Sequence, residues 1–323
     1  MNHLAKAAVA AITLCVAAIG ASAENYPSRP ITLVVPYPPG GTADAMARLL
    51  QESLTESLGQ QVIVSNRPGA AGTIGSREVA RAAPDGYTLL LTNTGPSAVA
   101  PVLQPEAGYD PVTDFVAVSL TSHSPMLLVV HPTFPAKDVA ELIKLAKEKP
   151  GTINYSSAGA GSFGHLSTVL LAESAGIEMV HVPYKGQAPA LMAVLNGEVA
   201  LSLTAPSDAM TQYVRTGRLR LLGVSTLQPS PLAPGAPPIA TVVLNFEADQ
   251  WFGVTAPAKT SPAIVARLNA ALKTALAQPS LQQKFIASGS LAAPSTPEEF
   301  QALIAKEAAR WKDVIVKSGI TLN

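Results

Sequence analysis

The chain reads as an α/β protein in two domains, with mixed, mostly parallel sheets flanked by helices. Three observations predict this. Strand-like apolar runs at residues 31–35, 61–65 and 87–91 alternate with helical periodicity, and continuous apolar strands are what a sheet covered on both faces requires. Three glycine-rich loops each follow such a run and precede a helix. The length of 323 residues, with 48% hydrophobic and only 14% charged, provides a large core and enough chain for two domains.

Residues 1–23 read as a secretory signal. Lys6 is the positive charge, residues 7–19 the apolar stretch, and Ala21-Ser22-Ala23 the small-x-small cleavage pattern. The apolar stretch is too short to span a bilayer. Cleavage after Ala23 leaves 300 residues, loses Lys6, and gives 21 basic against 22 acidic residues. Such a balance offers no basic face to nucleic acid. Cys15, the only cysteine, lies inside the signal, so the exported chain uses neither disulfide nor thiolate. A lipid anchor at Cys15 would need a small residue before it, and Leu14 is there.

Residues 31–35 form the first strand, and Pro36-Tyr37-Pro38-Pro39-Gly40-Gly41 turns the chain. Thr42 or Asp44 then caps a helix with Met46, Leu49 and Leu50 on its apolar face. A helix start presents unpaired N–H groups and the positive end of the macrodipole. Gly40 and Gly41 leave the main chain open to close approach. The stretch suits a carboxylate, phosphate or sulfate, although an ordinary βα turn carries the same residues.

Residues 66–72 are a second glycine-rich loop, feeding a helix over 73–82. Pro84-Asp85-Gly86 turns the chain into a strand that ends at Thr92-Asn93-Thr94-Gly95. Residues 115–130 are two extended runs meeting at His123-Ser124-Pro125 with no helix between, which predicts a first crossing between domains. An amphipathic helix over 137–149 opens a second series. It comprises strands at 153–156, 179–183, 199–203 and 219–225, with helices at 162–175, 188–196 and 207–216. A proline-rich loop at 229–238 precedes an extended return at 251–256. Helical patterns over 262–277 and 297–317 close the chain. The expected division is residues 24–123 with 245–323 in one lobe and 124–244 in the other.

Catalytic and nucleotide signatures fail. Gly159, Gly161 and Gly164 satisfy G-x-G-x-x-G, but a dinucleotide site needs an acidic residue closing the next strand, where Pro183-Tyr184-Lys185 stand. No Gly-Lys-Ser/Thr follows a glycine-rich loop, and no G-x-S-x-G elbow occurs. His123, His131, His165 and His181 lack metal-ligand spacing, so neither metal nor cofactor is expected. His165, beside a glycine-rich loop, either donates to a ligand or is a partly buried packing residue. His131 and His181 read as packing or surface residues. Lys185 ends a strand, where it either pairs with a carboxylate or is solvated. Anion-friendly helix starts without a nucleophile–base pair describe a binder rather than a catalyst.

Six segments carry a more specific resemblance. They are YPSRPITLVVPYPPGGTADAMARLL from Tyr26, VIVSNRPGAAGTIGS from Val62 and AAPDGYTLLLTNTG from Ala82. NYSSAGAGSFGHL from Asn154, VHVPYKGQAPAL from Val180 and WFGVTAPAKT from Trp251 complete the set. The chain resembles the Bug, or TctC-like, periplasmic solute-binding proteins of tripartite tricarboxylate transporters over essentially all of its exported length. The resemblance implies a two-lobed type II periplasmic binding fold, a Venus flytrap, acting as a monomer and not as an enzyme. It implies a small carboxylate in the cleft, with membrane components of the transporter as partners. It places ligand contacts at Tyr37, Gly40, Gly41, Thr42 and Asp44, and at Thr92, Asn93 and Thr94. From the second lobe it implies Ser157, Ala158, Gly159, Ser162, His165, Tyr184, Lys185 and Thr204. Thr204 stands where many members carry Asp, which points to a ligand without an amine. Residues 102–108 also depart from the family's usual run. Two rival readings are an exported sensor presenting its ligand to a receptor, and an exported enzyme with His165 as base and Asp44 orienting it.

Overall fold

The structure is a computed structural model and describes residues 26–320; the signal-peptide reading of residues 1–23 lies outside them. β1 (Ile31–Val35) runs into α1 (Thr42–Leu58), β2 (Val62–Asn66), α2 (Thr73–Ala80) and β3 (Thr88–Asn93). β1 lies between β2 and β3, parallel to both, with Ile31 opposite Val62 and Leu33 opposite Leu89. Leu33 and Val35 join the main core with Met46 and Leu50 of α1. Val34 faces the other way, into a smaller core with Val79 and Phe115. Burial on both faces is why four of this strand's five residues are apolar.

A turn at Gly95–Val99 and a short α3 (Ala100–Leu103) lead to β4 (Phe115–Ser124). The chain then enters a second sheet. Its strands are β5 (Leu127–Val130), β6 (Asn154–Ser157), β7 (Val180–Pro183), β8 (Leu201–Thr204) and β9 (Arg220–Val224). The helices between them are α4 (Val139–Glu148), α5 (Phe163–Ala175), α6 (Gln187–Leu195) and α7 (Asp208–Arg215). The strand order is β7-β6-β8-β5-β9, around a separate core containing Leu128, Val130, Tyr155, Leu171 and Leu203.

Phe246 and Ala248 still belong to that second core, and the Ala248 N–H donates to the Ser225 carbonyl at 3.2 Å. The chain therefore stays with the second sheet past Asn245 and re-enters the first as β10 (Gln250–Pro257). α8 (Pro262–Leu276), α9 (Pro279–Ala287), the two-residue β11 (Leu291–Ala292) and α10 (Pro297–Ser318) follow. The first sheet has the order β11-β4-β10-β3-β1-β2. Of the nine strand pairings among the described residues, the four parallel ones come from βα units. The five antiparallel ones involve β10, β5 and β11. Strands that arrive from the other sheet run against their neighbours.

α10 begins with a capping box between Thr296 and Glu299. Its Phe300 and Ile304 pack on Trp251 of β10. Gly253 is required there, because any Cβ would collide with the Phe300 ring. Further along, Trp311, Val314 and Ile315 pack with Leu166 of α5. The last helix thus packs against elements of both sheets' domains. No helix among the described residues is long and apolar enough to cross a membrane.

Candidate functional site: a neutral cleft between two sheets

The carboxyl ends of β1, β3, β6 and β8 face the crevice between the sheets, where ligands of open α/β sheets bind. The loop after β1 is held from within. The Asn66 side-chain amide donates to the Tyr37 carbonyl at 3.1 Å and to Asp44 Oδ1 at 3.0 Å. The Gly40 N–H and Arg48 Nε each donate to Asp44 Oδ2 at 2.9 Å. The Arg48 hydrogen bond, with those from Gly40 and Asn66, holds the Asp44 carboxyl down to about 2. Tyr37 donates from its hydroxyl to Asn93 Oδ1 at 3.0 Å, which also accepts from the Gly95 N–H at 2.9 Å. Burial pushes the Tyr37 phenol up to about 12, so it is a neutral donor.

α1 starts at this loop. Its N-cap, Gly41, has φ −86° and ψ 174° and makes no side-chain cap bond. The first-turn N–H groups of Thr42 and Ala43 lack intrahelical acceptors, as in any helix start.

The facing wall comes from the loop after β6. Ser162 caps α5 through the His165 N–H, and Gly164 packs so close to β8 that a Cβ would lie 2.8 Å from the Leu203 carbonyl. The Gly161 N–H donates to His165 Nδ1 at 3.1 Å. Ser157 Oγ lies 2.6 Å from His181 Nε2. The His165 and His181 rings stack with centroids 3.8 Å apart and planes 7° apart, and Tyr155 stacks on His181 at 5.0 Å. Burial, and then the His181 ring, pull His165 down to about 4; burial also lowers His181. Both rings are neutral at pH 7, and they shape the loop.

Three adjoining chambers occupy the crevice, and Gln250 bounds all three. The most open, about 500 Å³, lies over residues 37–43, with Asn93 and Phe252. A second, about 250 Å³, is lined by Thr42, Ser124, Ser157, Ala158, Ser162, Gln187, Ser202 and Thr204 among others. A third, about 270 Å³, is lined by Tyr37, Asn93, Thr94, Val99, Ala100, Leu103 and Phe163 among others. Among the described residues, no Asp, Glu, Lys, Arg or His lines any of the three. No group of three metal-ligating side chains occurs among them either.

Of the residues expected at the site, Tyr37, Gly40, Gly41, Thr42, Asn93, Thr94, Ser157, Ala158, Ser162 and Thr204 line these chambers. Thr94 is fully buried, and its Oγ1 has no hydrogen-bond partner among the described residues. Asp44, Thr92, Gly159, His165, Tyr184 and Lys185 do not line them. Asp44 is buried and spends both oxygens inside the loop. Thr92 lies within β3, not in a loop, and its hydroxyl is 2.6 Å from Ser97 Oγ. His165 is buried beside the loop whose Gly161 N–H it accepts, and Lys185 is exposed. Asp44 therefore does not orient His165, and the enzyme reading loses its catalytic pair. Sequence reasoning missed Gln250, Ser124, Phe163, Gln187 and Ser202. The signal for Gln250 was a polar residue at the head of a mostly apolar strand.

Residues 46–320 match the model of the tripartite tricarboxylate transporter family receptor, TctC. The chain belongs to this family. Protein BugT of Bordetella pertussis is 37% identical over 327 residues, covering 100% of both chains. An R. palustris protein solved with adipate superposes with a TM-score of 0.76 at 36% identity, covering 92% of this chain and 99% of that one. MatC from Rhodopseudomonas palustris with bound malate gives 0.72 at 32% identity, covering 90% and 100%. The two sheets, each with its own core and joined by crossing segments, are the two lobes of a periplasmic binding protein of the TctC and Bug type.

Proposed function

We propose that this protein captures a small carboxylate in the periplasm and delivers it to the membrane components of a tripartite tricarboxylate-type transporter. One observation carries the reading: the start of α1 opens, uncapped by any side chain, into a crevice walled by both lobes and lined by no charged residue. A carboxylate there gains N–H donors and a helix dipole without an ion pair. The same lining argues against a cationic or zwitterionic ligand, whose ammonium would find no charged partner. Family relatives that hold adipate and malate support the class of ligand.

Capture works by differential contact. The open form touches the ligand with one lobe and the closed form with both, so binding favours closure. The pivots are the two crossing segments. There His123 Nδ1 lies 3.3 Å from Asp249 Oδ2, and Ser225 Oγ donates to Asp249 Oδ1 at 3.1 Å. A lining of neutral groups keeps release fast enough for uptake.

The test is a thermal-shift screen against mono-, di- and tricarboxylates, with mass spectrometry of acids released from the purified protein. A binder at 100 times its Kd should add about 2.7 kcal/mol of stability, with no product formed. A panel of acids that leaves the melting temperature unmoved would remove the reading.

A further inference from the structure

The three chambers that meet at Gln250 differ in chemistry. We propose that the carboxylate taken by this cleft carries an apolar arm, an aromatic ring or a run of methylenes, which lies against Val99, Ala100, Leu103 and Phe163. The inference rests on the carboxylate-binding reading above and narrows it.

The chamber has a volume of about 270 Å³, and its apolar wall is preformed. Val99 and Phe163 belong to one cluster with Leu166 and Trp311, and the Phe163 ring meets Trp311 edge-on at 5.3 Å. Water along the stretch formed by Val99, Ala100, Leu103 and Phe163 has few hydrogen-bond partners and is displaced with gain by an apolar group, while Tyr37, Asn93, Thr94, Ser162 and Gln250 complete the lining with polar atoms. The neighbouring chamber is more polar. Ser124, Ser157, Ser202, Thr204 and Gln187 stand in its wall beside Met126, Leu203 and Pro206, so water has more partners there and an apolar arm gains less.

Connectivity points the same way. Tyr37 and Asn93 bound both the apolar chamber and the chamber over the α1 start. A carboxylate at that helix start leaves its arm free to pass them. Val99, Ala100 and Leu103 come from one lobe and Phe163 from the other, so an arm between them touches both. That makes the arm part of what favours closure.

The experiment is titration calorimetry of the full exported chain with propionate, butyrate, hexanoate, octanoate and phenylacetate, beside malate and citrate. Affinity should rise about fourfold per methylene until the chamber fills, with phenylacetate tighter than malate or citrate. Ala100→Leu, which fills the chamber, and Leu103→Gln, which makes its wall polar, should each erase the gain from added methylenes. Circular dichroism of both variants confirms that they fold, and either folded variant suffices. Malate or citrate binding tightest, with no gain along the series, overturns the inference and leaves the carboxylate reading standing. A chain-length gain that survives both substitutions overturns the assigned chamber. Failure of every acid to bind overturns both readings.

Discussion

Lowering the pH should loosen this protein well before its carboxylates titrate, and the stacked histidines are the reason. His165 is only 7% exposed and has a folded value of about 4, set by burial and then by His181. Its ordinary value is 6.5. The unfolded chain therefore takes up its proton at a higher pH than the folded one. The stabilisation is complete above pH 6.5 and is lost as pH falls towards 4. The full difference corresponds to about 3 kcal/mol; solvent screening at the loop edge brings the expected loss to about 2 kcal/mol, most of it by pH 5. His181 acts in the same sense. For a chain of this size the melting temperature should fall by about 3 °C. The assay is urea denaturation at pH 7, 6 and 5, on wild type and on His165→Asn, which keeps an acceptor near the Gly161 N–H but does not titrate. Wild type should lose stability over this range and the variant much less. Equal slopes, or a His165 ring-proton titration near 6.5 by NMR, would refute the reasoning.

Gly41→Val should fold normally, because a Cβ there meets only the Pro38 carbonyl at an ordinary 3.7 Å and φ is −86°. By blocking two charge-assisted N–H bonds it should weaken carboxylate binding by about a hundredfold in calorimetry. Asp44→Asn should cost about 1–3 kcal/mol in urea melts, through the lost Arg48 pair and slack in the loop. The Asp44 carboxyl is held down to about 2, so its contribution is present above pH 4 and lost as pH falls towards 2; the variant should show no such loss. Gly253→Ala should destabilise by about 1–3 kcal/mol by driving a methyl into the Phe300 ring. Adding Phe300→Leu should recover part of that in thermal melts. Gln250→Ala should weaken every ligand by about tenfold, since this side chain bounds all three chambers.

The first lobe was largely legible because its signals are local. Apolar strands, the Pro-Gly turn after Val35 and the Asp-Gly turn at residues 85–86 each act within a few residues. The site was less legible, for two reasons. A residue that caps or ties a loop and one that touches a ligand look the same in sequence, which is how Asp44 came to be expected in the cleft. The strand also ran two residues further than its apolar stretch suggested. That took Thr92 into β3, against Ser97, and left Thr94 on the chamber wall. Gln250 and Ser124 are a different case. They pair across β10 and β4 from positions far apart in the chain, and no local pattern records that pairing.

The last helix gives the lobes a third connection besides the two crossing segments. Anchored by Phe300 and Ile304 at one end and by Trp311 and Ile315 at the other, it works as a strut. Two flexible joints alone would let the lobes gape and twist independently. The helix adds a packed contact with both lobes, so any change in the angle between them must be taken up where Trp311 meets Phe163 edge-on at 5.3 Å.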